Sequence, residues 1–157
     1  MPILNLVHIN LHVTDLERSI AFYQKLGWKV MFELGRSEPL QLAPVSIAGR
    51  IEQGGGSAKT VILSLGDDPR SATKIELMQY VEPKPTPRPA QRPQEAGVHR
   101  IAMRVKDLDG TLTDFRSRGI DIPDEPREIR SMGGRQRFVL FPDPDDNLLE
   151  LIEFHRS

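Results

Sequence analysis

The chain has 157 residues with 21 Lys and Arg against 22 Asp and Glu, a formal net charge of −1, and is 38% hydrophobic and 27% charged. That suits one soluble domain or two small modules, and gives no basic patch for nucleic acid or an acidic membrane surface. The absence of cysteine excludes disulfides, thiolate metal sites and a cysteine nucleophile. No apolar run approaches the ~18 residues of a membrane span and no secretory signal opens the chain, so a cytoplasmic protein is expected.

Leu4 to Val13 alternates as a strand. Val7, Ile9, Leu11 and Val13 form its apolar face, and His8, Asn10 and His12 form a polar row opposite. Thr14 and Glu17 have capping-box spacing and start a helix. Its core stripe is Leu16, Ile20, Tyr23 or Phe22, and Leu26, with Gly27 as the C-terminal cap. Trp28 to Glu33 reads as the next strand. Leu40 to Ile51 fits a strand or a short helix. The run Gly54 to Ser57 reads as a flexible loop; without a following Lys-Ser/Thr it is no phosphate loop. Thr60 to Leu65 and Lys74 to Val81 are strands, the second with Lys74, Glu76 and Met78 on one face.

Residues 82–97 hold Pro83, Pro85, Pro87, Pro89 and Pro93, a stiff connector that cannot join a sheet ladder. A partner-binding proline motif is the rival reading of this segment. Beyond it the plan repeats. Val98 to Lys106 is a strand, and Leu108 to Arg118 a helix ending at Gly119. Arg127 to Ser131, Arg135 to Phe141 and Leu148 to Phe154 are strands, the last two joined by the polar turn Pro142 to Asn147. Glu153 reads as a solvated charge. Asp15 and Asp107 lie 92 positions apart, and the same offset carries Ile9 to Ile101, Ile20 to Leu112 and Gly27 to Gly119. The order predicts an α+β protein of two similar modules, 1–81 and 98–157.

The stretches VHINLHVTDLERSIAFYQKLGW, KIELMQY, VHRIAMRVKDLD and FVLFPDPDDNLLELIEF resemble the vicinal oxygen chelate superfamily. That group includes lactoylglutathione lyases, methylmalonyl-CoA epimerases, extradiol dioxygenases, and the fosfomycin and bleomycin resistance proteins. The resemblance implies two βαβββ modules whose strands pair into a cupped mixed sheet with the helices outside. It also implies a small-molecule ligand in the cleft between the modules, a homodimer, and in many members one divalent metal. Family ligand positions fall on His8, seven residues before Asp15, and on Glu76 and Glu150 within IELM and LELI. A metal set of His8, Glu76 and Glu150 would suit zinc, iron, manganese or nickel.

The fourth position carries Arg100, which has no lone pair to give a metal. A one-residue bulge would turn His99 inward instead. Two chemistries follow. With a metal, the expectation is lyase, isomerase or related proton-transfer chemistry on an oxygen-rich or anionic substrate. Without one, Arg100 supplies the cation, pairing with Glu76 or Glu150 or clamping a substrate carboxylate or enolate, and His8 and His12 are the proton-transfer candidates. Over both readings the catalytic candidates are His8, Glu150 and Arg100, with Asn10, His12 and Arg104 binding substrate. The alternatives are a metal-free sequestering protein of the same fold and, more weakly, a ring-cleaving dioxygenase.

Overall fold

The computed structural model of the protein describes residues 2–43, 45–47, 51–53, 55–68, 70–87, 89, 94–131 and 133–156. The chain forms two compact units, Met1–Pro87 and Arg88–Ser157. Among the described residues each holds one helix and a mixed sheet, and the first also carries a separate two-stranded sheet. Gly54 of the expected loop, and residues 88 and 90–93 of the expected connector, lie outside the described residues.

In the first unit β1 (Ile9–His12) leads into α1 (Leu16–Lys25), followed by β2 (Lys29–Leu34) and β3 (Leu40–Leu42). A hairpin of β4 (Val45–Ile47) and β5 (Ile51–Gln53) precedes β6 (Gly56–Leu65) and β7 (Thr73–Glu82). The sheet order is β1-β7-β6-β2, with β3 also on β6. β1 runs parallel to β7 and the other pairs are antiparallel. Parallel pairing needs a crossover, and the helix and later strands supply it. This is βαβββ with β3, β4 and β5 as additions, so the described residues of 40–51 hold strands rather than a helix. β1 is also shorter than expected, and residues 2–7 have no regular structure.

The glycine run is not simply a loop, because Gly56 and Ser57 belong to β6. Gly56 has φ +153°, and a Cβ there would collide with the Glu82 carbonyl oxygen. Only a residue without a side chain lets β6 and the end of β7 approach so closely.

α1 packs Leu16, Ser19, Ile20 and Tyr23 inward, and Ile75, Leu77, Val61 and Leu63 are buried on the sheet. The N-terminal cap differs from expectation. Asp15, not Thr14, accepts from the Arg18 backbone N–H at 3.0 Å, while Glu17 accepts from Arg36. A carboxylate one residue closer to the first turn meets the free N–H groups better than the threonine does. Asp107 caps the second helix in the same way, through the Gly110 N–H at 2.9 Å. Gly27 and Gly119 follow the two helices at φ +92° and +75°, the left-handed conformation that ends a helix.

The second unit comprises β8 (Ile101–Val105), α2 (Leu108–Ser117), β9 (Arg127–Ser131), β10 (Gly134–Pro142) and β11 (Leu148–Arg156). Its order is β8-β11-β10-β9, again with only the β8 pair parallel. The turn before β11 is fixed by buried Asp143, which accepts from the N–H groups of Asp145 and Asn147 and from Asn147 Nδ2. No helix among the described residues is long and apolar enough to cross a membrane.

Candidate functional site

In the first unit the strand alternation separates two faces of one sheet. Ile75 and Leu77 are buried, and Gln79 Oε1 accepts from the Leu16 N–H at the start of α1. Glu76, Met78 and Tyr80 must then point away from the helix. β1 pairs Asn10 with Glu76 and His12 with Met78, so its polar row lies on that same face.

The side chains converge on Glu76. His8 Nε2 stands 3.0 Å from Oε2, and Asn10 Nδ2 donates to the same oxygen at 2.9 Å. Thr60 Oγ1, from β6, donates to Oε1 at 2.9 Å. The Glu76 side chain is 13% exposed and that of His8 35%. A carboxylate this covered is costly to bury without such donors. His8 Nδ1 is shielded and has no hydrogen-bond partner among the described residues. Its lone pair or proton is therefore unsatisfied, a cost of about 1–3 kcal/mol. His12 and Tyr80 complete the face, with ring centroids 5.5 Å apart.

The second unit repeats this arrangement with different chemistry. β11 pairs Glu150 with Ala102 and Ile152 with Arg104. Arg100 Nε stands 2.7 Å from Glu150 Oε2. Arg100, not His99, therefore meets the glutamate. The Glu150 side chain is 6% exposed and that of Arg100 48%. The carboxylate is sunk in the sheet and the cation lies over it. Further along, the Arg104 guanidinium lies 5.6 Å from the centroid of the Phe154 ring.

Glu153 is not a solvated charge. It is buried at 8% exposure, because alternation along β11 puts it on the α2 side with Leu149 and Leu151. Arg137 on β10 lies 3.8 Å from it and reaches Asp109 in the first turn of α2 with two hydrogen bonds of 2.8 Å. That guanidinium holds the Asp109 carboxyl below its usual range. His155 Nε2 lies 3.0 Å from Glu153 Oε2, yet neither atom has a well-directed hydrogen bond. The contact is electrostatic at most.

The expected residues thus fall into two clusters, one in each unit. His8, Asn10 and Glu76 come together in the first unit, with His12 further along the same face. Arg100 and Glu150 pair in the second, with Arg104 on the same strand face. Sequence reasoning missed Thr60, Tyr80 and Phe154. The repeat carried a signal for the last two. Tyr80 and Phe154 are 74 positions apart, as are Glu76 and Glu150, and His12 and Arg104 are 92 apart.

The donor set does not fit a three-ligand metal centre. Glu150 already accepts from a guanidinium, and Arg100 has no lone pair to offer. Among the described residues no group of three His, Cys, Asp or Glu side chains stands together to hold a metal ion.

A family model described as the Glyoxalase/Bleomycin resistance protein/Dioxygenase superfamily matches residues 5–151. The chain belongs to that superfamily. The uncharacterised protein YwkD of Bacillus subtilis (strain 168) is 33% identical over 147 residues, covering 93% of this chain and 94% of its own. Solved glyoxalase-fold relatives agree in backbone. A glyoxalase family protein from Bacillus cereus superposes with a TM-score of 0.68 at 17% identity, covering 98% of this chain and 96% of that one. The fosfomycin resistance protein FosX of Listeria monocytogenes, complexed with Mn(II) and sulfate, gives 0.56 at 19% identity, with coverage of 97% and 93%. At such identities the superpositions carry the fold alone. The glyoxalase superfamily hosts several chemistries on one scaffold, so function here has to be argued from side chains.

Proposed function

We propose that this glyoxalase-superfamily protein acts on a small oxygen-rich or anionic molecule by proton transfer, in lyase or isomerase chemistry. The observation that carries the reading is the contact between His8 Nε2 and Glu76 Oε2 at 3.0 Å, with Glu76 held from two sides by Asn10 and Thr60. An imidazole backed by a fixed carboxylate is a proton carrier suited to neutral pH. With the pair unprotonated between them, a proton taken from a carbon next to a substrate carbonyl passes to the His8–Glu76 pair and is returned from it to the substrate. The second unit offers an anion-binding group of its own: Glu150 engages Arg100 through Nε, and the outer guanidinium edge matches a carboxylate. Glu150 is then a positioning residue. No step is routed through a metal, because the donor set above does not fit one.

The test is solvent exchange. The protein is incubated in D2O with a panel of α-hydroxycarbonyl compounds and 2-oxo acids, and loss of the adjacent C–H signal is followed by NMR. Exchange is expected, and His8→Ala and Glu76→Gln should abolish it. Exchange that persists in both variants overturns the reading. So does exchange that chelator removes and one equivalent of a divalent metal restores.

The second reading is a sequestering protein without turnover. It is favoured by the Arg100–Glu150 pair, which is complete without any ligand. Tight retention of a panel compound with no exchange would decide for it.

A further inference from the structure

We infer that Arg104 and Phe154 form an anchor for a carboxylate joined to an apolar or aryl body. This deepens the reading above by naming the ligand class. It rests on that reading's claim that the ligand is a small oxygen-rich or anionic molecule.

Four observations carry it. Arg104 is exposed, and among the described residues it makes no ion pair with a carboxylate. Arg100, on the same face of the strand, is committed to Glu150. The two cations are thus unlike: Arg100 already has a carboxylate on its Nε, whereas Arg104 has none among the described residues. The Arg104 guanidinium lies 5.6 Å from the Phe154 ring centroid, within cation–π range. A guanidinium lying over a ring has N–H groups left for another partner, and its fork matches a carboxylate in bidentate fashion.

Around this fork the surface is apolar. Phe154 is 40% exposed. Ile152 lies directly across from Arg104, and Ala102 separates Arg104 from Arg100. Four residues along a strand is about 13 Å, so the small Ala102 side chain leaves an uncrowded floor between the two cations. Glu150, the carboxylate on this face, is neutralised by Arg100 and would not repel an incoming anion.

The repeat sharpens the point. The corresponding pair in the first unit is His12 and Tyr80, ring centroids 5.5 Å apart. Both units place a basic side chain beside an aromatic ring at the same register. Only the second places a cation that is charged at every physiological pH. The anion anchor therefore belongs to Arg104.

The experiment is an NMR titration of the full-length 15N-labelled protein with benzoate and with benzamide, its neutral counterpart of similar shape. Benzoate should give saturable shifts at the amides of Met103–Val105 and Ile152–His155. Benzamide should bind at least about tenfold more weakly. Arg104→Gln should weaken benzoate by at least about tenfold, and Arg104→Lys should fall between, since an ammonium keeps the charge and loses the fork. Phe154→Leu should weaken benzoate while keeping its preference over benzamide. Equal binding of the two probes, no saturation, or shifts unchanged in Arg104→Gln would overturn the anchor. The two proposals fail separately. Benzoate binding that depends on Arg104 without any solvent exchange would sink proton transfer alone. Solvent exchange lost in His8→Ala, together with benzoate binding indifferent to Arg104, would sink the anchor alone.

Discussion

Arg100 Nε lies 2.7 Å from Glu150 Oε2, at the place in the repeat where the first unit sets His8 Nε2 3.0 Å from Glu76 Oε2. The same scaffold position thus holds an imidazole in one unit and a guanidinium in the other. One substitution separates the two chemistries, and it is the natural place to intervene.

Arg100→His should convert the second half to the pattern of the first. Histidine restores a lone pair and frees Glu150 from the guanidinium, so both become available donors. Affinity for Mn2+ or Zn2+, measured by calorimetry against the unaltered protein, should rise by at least about tenfold. An unchanged affinity would count against the assignment of residue 100 as the family ligand position.

His8→Ala and Glu76→Gln should each reduce C–H exchange by about 10²- to 10⁴-fold, the usual range for loss of a general acid–base group. Asn10→Ala and Thr60→Val should cost less, because each removes one of two donors that orient Glu76. The double variant His8→Ala/Glu76→Gln should be little worse than either alone, since the two act as one unit. Multiplying losses would show them working independently.

Much of this was legible in the chain. Both glycine stops, the two helices and the polar row of His8 and Asn10 followed from alternation and a constant offset, and the family resemblance brought Glu76 to that row. What escaped had physical causes. Glu153 was misread because its burial comes from Arg137 and α2, which lie far away in sequence. Thr60 was missed because a strand hydroxyl announces nothing until its cross-strand neighbour is known. The strands in 40–53 were ambiguous because three-residue segments are too short for periodicity to speak.

Stability at the second unit's pair should be asymmetric. Arg100→Ala strands a nearly covered carboxylate, whereas Glu150→Gln leaves a half-exposed guanidinium that water can solvate. Because one partner of the pair is solvent-exposed, the first change should cost only about 1–2 kcal/mol, and the second less. The combined variant should recover part of the loss of Arg100→Ala. Denaturant midpoints for the four proteins would measure this. An Arg100→Ala variant as stable as the parent would mean that Glu150 finds another partner.

Acid should loosen α2 through Asp109. Its carboxyl sits below the ordinary 3.8, chiefly because Arg137 donates two hydrogen bonds to it. The unfolded chain therefore binds the proton more readily, and stability rises with pH across the interval between the lowered value and 3.8. The contribution is complete above that interval and disappears as pH falls through the folded value. Glu17, held down by its hydrogen bonds to Arg36, follows the same sign for α1. Both pairs are exposed, so each effect is small and screened by salt. Asp109→Asn should remove its share of the acid dependence and leave neutral-pH stability slightly lower. The check is a series of urea midpoints from pH 2 to pH 6 for the parent and the variant. Parallel curves would show that the Asp109–Arg137 contact contributes nothing to folding.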